Sequence, residues 1–309
     1  MMGIFKDILK KRKESPKKEE ATKNIKNLAS KNKKRASKAT APKVKKKAPK
    51  ISKRKNSLGE YFKTNISGFD SLIEPGIPRG SSVLIEGGPG SGKTLWCLTL
   101  LKEMCKRGKK VLYMSFEEPE ERLASHLKGF GIDVEEYTKK GLLYIKRFNS
   151  LDISRSVEAL LSEAKKELLI DVQAVLIPKE FEADIVIMDS LSSIASAFSG
   201  ESNRFRVYME QLFRYLEEHK ISSFLIREVA SPTHIGGSFL EKEEAVSFLS
   251  DGIIAIYNVL TGTGERKRAI EIIKMRGANI KRKVCEFQIT SKGVKIYPKK
   301  VLRGKYKLS

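Results

Sequence analysis

Residues 87–94 read GGPGSGKT, and no other stretch of the chain limits its fold as tightly. Just before it, Ser82–Glu86 (SVLIE) has the unbroken apolar character of a short buried strand. Gly87, Gly88, Gly90 and Gly92 allow the backbone to turn its amide hydrogens inward around phosphate oxygens, with Pro89 and Ser91 completing the loop. Lys93 supplies a cation to those phosphates, and the Thr94 hydroxyl suits a Mg²⁺ ion. A helix predicted from Lys93 to about Lys106 points its positive N-terminal end at the same anion. Strand, loop and helix therefore occur in the order a P-loop requires, and the expected ligand is ATP with Mg²⁺.

The remaining segments extend an α/β pattern. Lys110–Phe116 (KVLYMSF) reads as a strand ending in Glu117-Glu118-Pro119, followed by a helix with Leu123, His126, Leu127 and Phe130 on one side. Glu117 and Glu118 have two readings: acids favoured at a helix start, or a carboxylate at a strand's carboxyl end that polarises an attacking water. Leu142–Phe148 is a third expected strand, and a helix is expected from about Ile153 to Leu168. Ala183–Asp189 is a buried-strand run capped by an acid, the Walker B pattern, in which Asp189 would serve Mg²⁺. Arg204–His219 carries a core-facing stripe of Phe205, Met209, Leu212 and Leu216. Ile221–Ile226 reads as a strand ending in Arg227-Glu228, a place for a phosphate-sensing polar residue.

From Asp251 onward strands follow one another without helices. Gly252–Val259 and Lys267–Met275 flank Thr261-Gly262-Thr263-Gly264, and Val284–Ile289 and Val294–Tyr297 flank Ser291-Lys292-Gly293, giving two expected hairpins. Lys274 and Arg276, two residues apart, share a strand face. They read either as solvated cations or as a paired phosphate contact.

Charge divides the chain. Residues 1–57 hold 22 Lys+Arg and 4 Asp+Glu, a net +18 of the total +24, and residues 58–309 carry the other +6. Phe5 is the only aromatic residue of that tail, too little apolar mass to offset backbone ordering, so the tail is expected to be disordered. It reads either as a solubilising extension or as an electrostatic contact for DNA, RNA or acidic lipid. Without aromatic residues for stacking, nucleic-acid contact there would be sequence-independent. Cys97, Cys105 and Cys285 show no metal-ligand spacing, and no apolar run approaches the ~18 residues of a membrane span. A cytoplasmic protein with two parts, 1–57 and 58–309, is the expectation.

The stretch from about Thr64 to Pro298 resembles the RecA-like ATPases of the KaiC type, including archaeal single-domain relatives. The resemblance rests on ISGFDSLIEPGIPRGSSVLIEGGPGSGKT, SFEEPEERL, VIMDSLSSI and IEIIKMRGA, in that order. It implies a RecA-like P-loop core with a central, mostly parallel sheet and C-terminal β-hairpins. It further implies Glu117 as base for the water, Glu118 as its support, and Lys274 and Arg276 as γ-phosphate contacts to the next subunit of a hexameric ring. The family commonly has a histidine shortly after KMRG, where this chain runs Ala278-Asn279-Ile280. Clock-type KaiC has two such domains and a phosphorylated Ser/Thr pair; the resemblance covers one domain, no matching pair is expected, and a circadian role does not follow from it.

Four functions fit these observations unequally. An oligomeric ATP-hydrolysing switch acting on an unidentified protein partner uses every motif. A RecA/RadA-type DNA-binding ATPase of recombination or repair uses the basic tail. A nucleotide-binding scaffold without turnover conflicts with the presence of Glu117 and Glu118. A small-molecule phosphotransferase leaves the late hairpins unexplained.

Overall fold

The computed structural model describes residues 60–153, 155, 181–198, 202–229 and 246–308. The tail, most of the helix expected from Ile153 to Leu168, and residues 171–180 lie outside them.

In chain order the strands are β1 (Tyr61–Phe62), β2 (Ile73–Glu74), β3 (Ile77–Pro78), β4 (Ser82–Gly87), β5 (Val111–Ser115), β6 (Leu143–Arg147) and β7 (Ile185–Asp189). They continue with β8 (Ser222–Glu228), β9 (Gly252–Thr261), β10 (Arg266–Met275), β11 (Asn279–Ile280), β12 (Cys285–Thr290), β13 (Gly293–Val301) and β14 (Tyr306–Leu308). The helices are α1 (Lys93–Lys106), α2 (Glu120–Gly129), α3 (Val134–Lys139), α4 (Leu191–Ala197) and α5 (Ser202–Glu218). The Arg204–His219 expectation thus sits close to the bounds of α5, and all four of its stripe residues are buried.

Ten strands form one sheet in the order β13-β12-β10-β9-β4-β8-β7-β5-β6, with β14 pairing β9. From β6 to β9 every pairing is parallel; β9-β10, β10-β12, β12-β13 and β9-β14 are antiparallel. Both expected hairpins are present. This is the expected α/β architecture, with the two hairpins read from the pattern and the mostly parallel centre that the family resemblance implies.

The parallel strands are apolar throughout because both of their faces are covered, and successive side chains pass to opposite sides. Val83 and Ile85 of β4, Val111 and Tyr113 of β5, and Ile185 and Ile187 of β7 pack with α1. Leu84, Leu112, Val186 and Met188 pack on the other side with α4 and α5. On the α1 side Trp96 is fully buried, edge-on to Phe69 at 5.3 Å between ring centroids and tilted against Phe224 at 5.7 Å.

The segment leading into β4 belongs to this core. Phe62, Ile66, Phe69, Leu72, Ile73 and Ile77 are all buried in it. Its turn is held by Asp70, whose Oδ1 accepts from the Thr64 amide and hydroxyl at 2.8 Å and whose Oδ2 accepts from the Asn65 amide at 2.8 Å. The short β1-β3 and β2-β11 pairs fasten its two ends. Among the described residues no helix is long and apolar enough to cross a membrane.

Candidate active site

In a parallel sheet all strands share one polarity, so their carboxyl ends and the loops that follow gather at one rim. Here β4 delivers the GGPGSGKT loop, β5 leads to Glu117 and Glu118, β7 ends in Asp189 and β8 ends in Glu228. They surround a cavity of about 360 Å³, lined by Lys93, Thr94, Tyr113, Glu117, Glu118, Asp189 and Glu228 among others.

The loop geometry explains its glycines twice over. A Cβ at Gly87 would lie 2.2 Å from the Ile256 carbonyl oxygen and 2.7 Å from Ser91 Oγ, so the β4–β9 contact excludes any side chain there. Gly92 has φ +109°, a conformation that favours glycine, and a Cβ on it would press the Phe287 ring at 3.0 Å. Gly90 opens onto free space, and there it is the left-handed φ of +70° alone that favours glycine. Two side chains from the antiparallel strands hold the loop's carbonyls: Asn258 Nδ2 donates to Pro89 O at 3.1 Å and Arg268 Nε to Gly90 O at 3.3 Å. Neither residue stands out in the sequence, since their link to the loop spans about 170 residues and leaves no local pattern.

Lys93 is buried, and its ammonium donates to the Gly87 and Gly88 carbonyls, both at 2.9 Å, inside the curl of the loop. Glu228 Oε1 stands 3.5 Å from the same ammonium. The other residue of the Arg227-Glu228 pair faces away: Arg227 is buried and ion-paired with the equally buried Glu86, its cross-strand neighbour on β4. Only Glu228 of the two reaches the phosphate side.

Thr94 Oγ1 donates to Asp189 Oδ2 at 3.1 Å, and Tyr113 OH donates to the same oxygen at 2.7 Å. Burial pushes the Asp189 carboxyl above its ordinary range, while these two hydroxyls act to hold it down. Burial, then the neighbouring Asp189, raises the Tyr113 phenol well above its usual range, so it stays a donor. Cys97 beneath the site is likewise a thiol, raised by burial and then by Asp189.

Glu117 Oε1 accepts from Ser190 Oγ at 2.6 Å and from Ser193 Oγ at 2.9 Å. Ser190 is the N-cap of α4, so the start of that helix also fixes the carboxylate. The Glu118 carboxylate faces His126 Nδ1 at 3.1 Å and Arg122 at 4.0 Å. Ser190 and Ser193 were visible in the sequence only as the DSLSS that follows the Walker B strand.

Lys274 and Arg276 are elsewhere. A bulge between Ile272 and Lys274 sets Lys274 opposite Ile253, and Ile253 lies beside Leu84 near the start of β4. Along β10 that is six residues from Arg268, or ~20 Å. Both side chains hold the segment before β9: Lys274 Nζ donates to Ser247 O at 3.1 Å and to Ser250 O, and Arg276 Nη2 to Phe248 O at 2.9 Å. Burial, then Arg276, lowers the Lys274 pKa.

A family model for the KaiC ATPase matches residues 62–301. The chain belongs to the KaiC ATPase family. It is 30% identical to a UPF0273 protein of Pyrococcus horikoshii over 251 residues, 79% of this chain and 96% of that one. The circadian clock oscillator protein KaiC of Acaryochloris marina is 28% identical over 75% of this chain, which spans 41% of the clock protein's length. The crystal structure of a KaiC-like protein from Pyrococcus horikoshii superposes with a TM-score of 0.60 at 28% identity, covering 77% of this chain and 99% of that one. The KaiC-like ATPase assignment therefore holds across the P-loop, the Walker B strand and the late hairpins.

The local chemistry fits a magnesium nucleotide. Thr94 and Asp189 bring a hydroxyl and a carboxylate oxygen together, the hard oxygen donors that Mg²⁺ takes. Ser91 Oγ is buried without a partner inside a loop shaped for an anion.

Proposed function

We propose that this protein is a Mg²⁺-dependent ATPase whose turnover is completed across a subunit interface, making it an oligomeric switch for a protein partner. The observation behind this reading is the separation just described. Lys93, Thr94, Glu117 and Asp189 converge on one rim, whereas the family-implied Lys274 and Arg276 sit toward the other, out of reach of their own P-loop.

Lys93 binds the terminal phosphates together with the loop amides, exchanging its Gly87 and Gly88 carbonyl contacts for phosphate oxygens. Mg²⁺, held by Thr94 and Asp189, would supply positive charge to the same oxygens. Ser190 and Ser193 occupy Glu117 Oε1, leaving Oε2 to take the proton of the attacking water. Arg276 of a neighbouring copy, with Lys274, offsets the charge that develops on the transferred phosphoryl group. Assembly then becomes a condition of hydrolysis, the property a regulatory switch needs, and a hexameric ring satisfies it.

Mixing two inactive variants tests this. Arg276→Ala subunits keep Glu117 and Glu117→Gln subunits keep Arg276, so mixed assemblies contain interfaces with both groups intact. Partial recovery of ATPase activity on mixing is expected; no recovery at any ratio would remove the interfacial role.

A further inference from the structure

Residues 58–309 are less evenly charged than their net +6 suggests. Residues 266–309 hold 15 Lys+Arg and 2 Asp+Glu, a net +13, so residues 58–265 carry net −7. The positive charge thus collects on the antiparallel wing formed by β10, β12, β13 and β14. Collecting like charges on one wing costs self-repulsion and creates a positive field that a polyanion can answer.

One face of that wing has more than charge. Strand alternation puts Val294 and Ile296 of β13 into the core with Phe287 of β12, and turns Lys295, Tyr297 and Gln288 outward. Lys267 of β10 is exposed on that side of the sheet, since Ala269, two residues on, aligns with both Glu286 and Tyr257; Ala269 and Tyr257 themselves are buried there, so the open part of the face lies toward Lys267, Lys295 and Tyr297. Tyr297 donates its hydroxyl to Gln288 Oε1 at 3.0 Å, which fixes the ring. Two ammonium groups lie over that ring, Lys295 at 5.0 Å and Lys300 at 4.6 Å from its centroid. The carboxylates nearby are Glu286, 3.6 Å from Lys300, and Glu265, 3.0 Å from Lys267, each a partner that a phosphate would displace; Glu271 instead accepts from the Tyr257 hydroxyl.

We propose that the face carrying Lys267, Lys295, Tyr297 and Lys300 binds single-stranded nucleic acid. Phosphates take the ammonium groups, and an unstacked base takes the tyrosine face that an ammonium gives up. A flexible lysine stem makes that exchange cheap, because the ammonium need only swing from ring to phosphate. An acidic lipid surface would use the same cations, with the ring at headgroup level, and a comparison with vesicles separates it from stacking on a base. This surface does not depend on how the ATPase site is completed.

The test is binding of fluorescein-labelled oligo(dT) by the full chain, followed by anisotropy across a salt series. Lys295→Glu with Lys300→Glu is expected to weaken binding at least tenfold and to flatten the logarithmic salt dependence by about 0.7 for each phosphate no longer neutralised. Tyr297→Ala should weaken binding several-fold with the salt dependence unchanged, and Tyr297→Phe should restore it, a pattern the lysine-rich tail cannot produce. Basal ATPase activity and thermal midpoint, unchanged in these variants, show that folding is intact. If oligo(dT) binding ignores both substitutions, the proposal fails. It fails equally if the substitutions abolish binding to phosphatidylserine vesicles but not to oligo(dT), or if they change only the oligomeric state.

Discussion

In the parallel half of the sheet, β4, β5, β7 and β8 all run the same way, and each delivers its polar residue to one rim: the P-loop, Glu117, Asp189 and Glu228. In the antiparallel half, β10 begins at that rim with Arg268 on the Gly90 carbonyl and ends far from it, at Lys274 and Met275, with Arg276 just beyond. The contrast follows from strand direction. Parallel strands gather their carboxyl ends at one rim, whereas a strand running against them starts at that rim and carries its last residues to the other. One half builds the rim around the cavity, and the other reaches it only through the near ends of its strands.

The comparison can be broken experimentally, starting where the effect should be largest. Lys93→Ala is expected to abolish ATP binding and turnover together, measured by calorimetric titration and phosphate release; retained affinity would mean that this rim is not where the phosphates sit. Glu117→Gln should keep ATP affinity while turnover drops by ~10²–10⁴-fold, the usual range for a missing general base. Equal losses in affinity and turnover would recast it as a binding residue. Arg268→Ala removes one loop tether and should raise the ATP dissociation constant by ~2–10-fold, the worth of a single hydrogen bond, without altering saturated turnover. If turnover falls instead, the near end of β10 belongs to the chemistry rather than to the loop. The smallest effect is expected at Glu228, an exposed carboxylate competing with phosphate for Lys93. Glu228→Gln should tighten nucleotide binding by ~2–5-fold, in keeping with the modest worth of exposed ion pairs. Weaker binding would show that Glu228 contacts the nucleotide itself.

Much of this was legible in the sequence because it is local. GGPGSGKT with the strand before it, the acid-capped run ending in Asp189, the stripe on α5 and the glycine-marked hairpins are each short, continuous patterns. What escaped depends on contacts between distant segments. The role of Asn258 and Arg268 as loop tethers arises from proximity to Pro89 and Gly90. The Glu86–Arg227 pair, which turns Arg227 away from the phosphate side, exists only because β4 and β8 align. β14, whose three residues extend the edge of β9 beyond its pairing with β4, is too short to carry a period. The burial of Phe62, Ile66 and Phe69 was hidden because the segment has no regular repeat, and its turn is set by one aspartate.

The three cysteines have a practical consequence. Cys97 and Cys105 lie on α1 and Cys285 on β12, all buried in the same core, with the Cys105 thiol pushed up to about 12 by burial. A thiol reacts as its thiolate, so a labelling reagent can modify each one only when its own element opens to solvent. The order in which they are modified would report whether the hairpin wing detaches before the helix beneath the P-loop, or whether both let go in one cooperative event. A cysteine introduced on the surface could meanwhile carry a fluorophore while the native three stay silent.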